Sequence, residues 1–162
     1  MLVAMSRSML SREELRGELF RKRRVFTFGR RHYPLCAICT QPLVHGGEIH
    51  ESLITRGMIR DIDKAELILV PENSNLVHPE CHPSSGRGSP EDFSKCCVNL
   101  LVCEKDGVMK WFDHIESELP IIVPQAKRDY LNGLWFANRK GTVAYFAKEM
   151  APETYELLKE LV

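Results

Sequence analysis

Residues 73–82 read Asn73-Ser74-Asn75-Leu76-Val77-His78-Pro79-Glu80-Cys81-His82: a polar loop, a short apolar extended piece, then a turn carrying two histidines and a cysteine. Pro79 suits the first position of a helix, where its missing N–H costs nothing. Pro83 and the run Ser84-Ser85-Gly86-Arg87-Gly88 end that helix soon after it starts. His78 and Cys81 enclose two residues, and far upstream Cys36-Ala37-Ile38-Cys39 has the same gap. Alone, one such cysteine pair reads equally as a redox couple. Joined by His78 and Cys81 it supplies three sulfurs and one nitrogen, the donor set of a closed tetrahedral zinc site. Zn2+ is therefore expected as a structural staple held by Cys36, Cys39, His78 and Cys81.

The intervening chain has its own pattern. His45-Gly46-Gly47 signals a turn, and Glu48-Ile49-His50-Glu51-Ser52-Leu53-Ile54 reads as a strand after it. Residues 56–70 run through Gly57 into Leu67-Ile68-Leu69-Val70, where Pro71 stops the segment. His50 falls within the strand, Asn73 lies five residues before His78, and His82 directly follows Cys81. The succession Cys-x-x-Cys, Glu-x-His, Asn, His-x-x-Cys-His resembles the HNH endonuclease family, most closely its small phage- and intron-borne members. The resemblance spans about residues 33–85. The helices that follow, up to residue 119, look like the tail common in such proteins, and residues 125–162 match nothing in that pattern.

The resemblance implies an α+β protein with a zinc-stapled ββα-metal core, flanking helices and a mostly helical carboxyl-terminal half. It implies phosphodiester hydrolysis in DNA, with His50 as general base on water. His82 would help hold one catalytic divalent cation, Mg2+ or Mn2+, and Asn73 would hydrogen-bond across the loop and fix the strand bearing His50. Expected products are 5′-phosphate and 3′-hydroxyl ends. Asn75 is the alternative middle Asn, although its spacing to His78 fits less well. Many members carry an acid or a second His directly before the base; here Ile49 stands there and Glu51 follows. Either His50 is the base, with Glu48 or Glu51 peripheral, or His50 takes the metal-ligand position and Glu51 the base position; Glu51 is also a candidate ligand beside His82. Strand alternation puts His50 and Glu51 on opposite faces, which favours His50. Pro83 leaves the metal site on a single turn.

The rest of the chain frames this centre. Its 162 residues, 44% of them hydrophobic, suffice for one core with short appendages. Three segments are expected: a basic arm over 1–32, the nuclease core over 33–88 and a helical extension over 89–162. The zero net charge hides an asymmetry: residues 1–35 carry nine Lys/Arg against three Glu, and residues 36–162 carry 13 against 19 acids. A basic arm on an acidic body suits a polyanion contact on one face, although a solvated helix would read the same way. Arg21, Lys22, Arg23, Arg24, Arg30 and Arg31, interleaved with Val25-Phe26-Thr27-Phe28, are the candidate DNA contacts, joined by Arg56 and Arg87 from loops.

Ser11 is placed to cap the arm helix. Later helices are expected from Ser89 to about Cys103, from Asp106 to about Leu119, and over 125–138, 141–150 and 152–162, with Pro120 to Pro124 as a linker. Cys97 and Cys103 read as core thiols, Trp111 and Phe112 as core, and His32 and His114 as surface residues. The weakly apolar start, Met1 to Leu10, reads as neither signal nor anchor, and no stretch is long enough to span a bilayer. A cytoplasmic protein, bacterial or phage-encoded, without membrane contact is expected, with double-stranded DNA as partner. Cutting both strands would need a homodimer or two visits. The competing functions are a non-catalytic zinc-stabilised DNA-binding module and a protein scaffold using its amphipathic helices.

Overall fold

The structure, a computed structural model, describes residues 10–23, 25–60, 62–84 and 86–161. Arg24 and the stretch before Leu10 lie outside the described residues. Among the described residues, six α-helices and two small antiparallel sheets make a mixed α+β fold. Helix α1 (Arg12–Lys22) starts where the sequence directs: the Ser11 hydroxyl accepts the Glu14 N–H, and the Glu14 carboxylate accepts the Ser11 N–H. This reciprocal cap satisfies two amides that the helix start leaves free. Leu15 and Leu19 are fully buried from its inner face, each contributing about 2 kcal/mol.

Strands β1 (Val25–Phe28) and β2 (Arg31–Pro34) form a hairpin turned at Gly29 (φ +62°). The sequence signals the first strand and not its partner, whose Arg31-His32 has no apolar alternation. Strands β3 (Glu48–Glu51) and β4 (Ser74–Val77) pair antiparallel, with His50 opposite Asn75 and Ile49 opposite Leu76. The turn before β3 depends on two glycines. Gly46 adopts φ +81°, and a Cβ at Gly47 would come within 2.8 Å of Leu43 Cδ1 and 3.2 Å of the Val77 carbonyl.

β3 is shorter than the strand expected to Ile54. Beyond Glu51 the backbone turns to Asn73: Ser52 N–H donates to its carbonyl, and the Leu53 and Ile54 N–H groups donate to its side chain. Residues 78–82 keep the single turn expected of them, without the full helix of a ββα unit. They form one hydrogen-bonded turn, with Cys81 and His82 N–H both donating to the His78 carbonyl, and no α-helix follows β4 directly. Pro83 explains this, since it lacks the N–H that the next helical turn requires.

The remaining helices are α2 (Pro90–Glu104), α3 (Gly107–Ile115), α4 (Ile122–Phe136), α5 (Thr142–Met150) and α6 (Pro152–Lys159). α4 begins inside the expected linker because Pro124 falls in its first turn, where proline is tolerated. α3 stops at Ile115, yet Leu119 is still buried, through a turn on the Ile115 carbonyl. Trp111 and Phe112 are core residues, as expected, whereas Cys103 is only half-buried and Cys96 and Cys97 are fully buried.

Two apolar clusters result. One joins α2–α6 to Leu53, Ile54, Ile59, Ile68 and Val70. The other gathers Leu15 and Leu19 of α1, Cys36, Ala37, Ile38 and Leu43, and Ile49, Leu76 and Val77 of the β3–β4 sheet. A buried polar network bridges them: Asn75 Nδ2 donates to Ser52 Oγ (2.8 Å), and Asn99 Nδ2 of α2 donates to Asn75 Oδ1 (2.7 Å).

Candidate metal centre and adjoining cleft

Residues 36–42 make the knuckle. The Cys36 N–H donates to the Gln41 carbonyl and the Thr40 N–H to the Cys36 carbonyl, with Thr40 at φ +65°. The Ala37 N–H donates to the Leu76 carbonyl, docking the knuckle on β4. This brings Cys36 and Cys39 against the turn that carries His78 and Cys81. The four ligand atoms lie within 4.8 Å of one another, a Cys3His group compatible with a structural zinc ion. Cys39 Sγ is 3.2 Å and Cys81 Sγ 3.9 Å from His78 Nδ1.

The surroundings fit a cation. His78 Nε2 lies 3.2 Å from the Pro42 carbonyl, so the ring donates there and presents Nδ1 to the sulfurs. Cys36 Sγ accepts N–H groups from Cys39 and His78. Burial raises the Cys36 thiol, but these amides outweigh it and lower the pKa to about 7. Cys81 is pushed up to about 12, first by burial and then by the charge on Cys36 beside it. Cys36 and Cys81 oppose each other's ionisation; a dication between them removes the conflict.

Beside this group lies an open cleft of about 510 Å³, lined by His50, Glu51 and His82, with Arg12 and Arg56 also on its wall. His50 is 2% exposed, its ring 5.2 Å from the His82 ring at an interplanar angle of 71°. Its Nε2 is buried and makes no hydrogen bond. Burial first, and then the neighbouring His82, lowers its pKa to about 4, so the ring is neutral near pH 7. His82 Nδ1 lies 2.8 Å from Glu48 Oε1. Glu51 Oε2 accepts the Arg56 N–H (2.8 Å), and its Oε1 lies 3.4 Å from Arg12 Nη2 and 3.8 Å from Arg56 Nη2.

Asn73 is wholly buried and its amide is fully engaged. Oδ1 accepts from Leu53 and Ile54 N–H, each at 2.9 Å, and Nδ2 donates to the Ile54 (2.9 Å) and Ile68 (3.0 Å) carbonyls. It ties the loop after β3 to the segment before β4. Asn75, opposite His50, instead points to Ser52 and α2.

The expected DNA contacts divide. Arg21, Lys22, Arg30 and Arg31 are exposed, and Arg56 stands at the cleft with its side chain 53% exposed. Arg23 does not belong to such a face. Its guanidinium is buried, pairing with Glu104 of α2 and donating to the Pro71 (2.8 Å) and Ser74 (2.6 Å) carbonyls. A charge so buried is kept only where it is paired and hydrogen-bonded, as this one is. Arg87 is likewise committed inward, 2.9 Å from Asp129 Oδ2 and stacked on Phe93 at 4.7 Å.

Sequence reasoning missed Arg12, which reaches the cleft only because α1 packs across the β3–β4 sheet. It also left Glu48 without a role, although strand alternation puts Glu48 on the His50 side. No protein-family model, curated protein or solved structure matches the chain. Among the described residues, no helix is long and apolar enough to cross a membrane.

Proposed function

We propose that the chain is a metal-dependent DNA endonuclease of the HNH type, its catalytic cleft held against a structural zinc staple. The observation that carries this reading is the packing of His50 on His82 in a cleft beside the Cys3His group, with the His50 ring neutral and its Nε2 unpartnered. A general base must start unprotonated, and the lowered pKa keeps the His50 ring so. Both Glu51 oxygens are occupied by Arg12 and Arg56, which supports His50 rather than Glu51 as the base. Arg12 and Arg56 are then the cations that meet substrate phosphate, and Glu51 holds them in place.

His82 would hold Mg2+ or Mn2+, which take most of their ligands from water and phosphate; Glu51, the other candidate ligand, is engaged by Arg12 and Arg56, and Glu48 by His82 itself. When bound, such a cation supplies charge stabilisation to the phosphoryl oxygens and the departing 3′ oxygen. His50 takes a proton from the attacking water as the new O–P bond forms and the P–O3′ bond breaks. The 3′ oxygen recovers a proton from solvent. His50 and Asn73 act at different levels: one moves a proton, the other fixes the loop that follows its strand.

The runner-up is a zinc-stabilised DNA-binding module without catalysis. The 2% exposure of His50 favours it, since a base must reach water. Nicking of supercoiled plasmid by the zinc-loaded chain, with added Mg2+ or Mn2+, separates the two. The nuclease reading expects nicks with 5′-phosphate ends and a loss of at least about 100-fold in His50→Ala. DNA binding without nicking, or nicking indifferent to His50→Ala, refutes it.

A further inference from the structure

We infer that Glu48 is a positioning residue for His82, holding its ring in the tautomer that leaves Nε2 free to bind the catalytic cation. This rests on the proposed function for the cation's role, but the geometry stands apart from it. Glu48 opens β3 opposite Val77, one side-chain period from His50, and its Oε1 lies 2.8 Å from His82 Nδ1. A neutral imidazole carries one proton, and a carboxylate accepts hydrogen bonds without donating any. The contact therefore keeps the proton on Nδ1 and the lone pair on Nε2. Unassisted, a histidine side chain prefers the opposite arrangement, with its proton on Nε2. Without Glu48 the proton would occupy the nitrogen that must coordinate.

The same device operates a few residues away with the nitrogens exchanged. His78 directs Nε2 to the Pro42 carbonyl and thereby presents Nδ1 to Cys39 and Cys81. The two histidines flanking Cys81 are thus set in opposite tautomers by two different acceptors, a backbone carbonyl and a strand carboxylate. An orienting partner of this kind commonly changes metal affinity by about 10- to 100-fold.

The test uses the zinc-loaded full chain and three proteins: wild type, Glu48→Gln and Glu48→Ala. Glutamine keeps a side-chain oxygen that accepts the Nδ1–H; alanine does not. Long-range 15N–1H correlation spectra identify the protonated nitrogen of His82, and Mn2+ titration followed by electron paramagnetic resonance reads metal affinity without cleavage. Equal zinc content in the three proteins certifies the fold, and Glu48→Gln carries the comparison if Glu48→Ala does not fold. The expected result is an Nδ1–H tautomer in wild type and Glu48→Gln. Glu48→Ala should lose it and bind Mn2+ about 10- to 100-fold more weakly. An Nε2–H tautomer in wild type, or an unchanged one in Glu48→Ala, overturns the inference. So does Mn2+ affinity in Glu48→Gln as weak as in Glu48→Ala, which would make Glu48 itself a ligand, and so does a wild type that binds no Mn2+. Absence of plasmid nicking with the expected tautomer and affinity would instead count against the nuclease reading alone.

Discussion

Asn73 has no spare polar capacity: its four hydrogen bonds close the gap between the loop after β3 and the segment before β4. Asn73→Ala should therefore lower stability by roughly 3 kcal/mol in urea denaturation, because buried N–H and C=O groups lose their partners. Asn73→Asp should cost at least as much, since it removes both donors and buries a charge. An unchanged unfolding midpoint in either variant would show that the loop closes without this amide. At this scale the sequence was informative about residue types and poor about surroundings. The spacing to His78 favours Asn73 over Asn75 as the middle Asn, and the structure gives the two amides different partners. The engagement of Glu51 by Arg12 was not legible, because it depends on α1 meeting the end of a strand 39 residues away. Such contacts are far apart in sequence and leave no local period.

Elements were read well wherever a cap or a period marked them, as at Ser11, Ser89 and Pro152. The single turn over 78–82 was legible too, because Pro83 has no amide to continue it. An exception is β3, which ends early because Asn73 takes the amides that a longer strand would pair. The arm was misjudged at one position: α1 is followed by an arginine that works as an internal clamp. Arg23→Ala should cost about 3 kcal/mol by leaving Glu104 and two carbonyls short of a donor. Arg31→Ala, on the exposed hairpin, should leave the unfolding midpoint unchanged. If the hairpin tracks DNA phosphate, it should also reduce the salt dependence of DNA binding by about one unit of log–log slope. Equal stability of the two variants would contradict the clamp, and an unaltered salt slope in Arg31→Ala would remove the hairpin from the DNA-facing surface.

At the scale of the molecule, the Cys3His group was legible from local spacing, and the α+β class from the family resemblance together with the helix caps and periods. The docking of α1 on the sheet was not. The two apolar clusters differ in what they require. The helical cluster of α2–α6 packs large side chains such as Phe112, Tyr130 and Leu134. The smaller cluster contains Cys36 and rests on the knuckle. Zinc removal should therefore act unevenly. Hydrogen exchange after chelation should show amides of residues 36–43, 48–51 and 74–82 losing protection first, with the inner faces of α2 and α4 still protected. Uniform loss would mean that one cooperative unit spans both clusters. The zinc-edge X-ray absorption spectrum of the purified chain tests the central claim most directly. It should show one zinc per chain with three sulfurs near about 2.3 Å and one nitrogen near about 2.0 Å. A chain without zinc, or an ion with fewer than three sulfur ligands, would contradict the account.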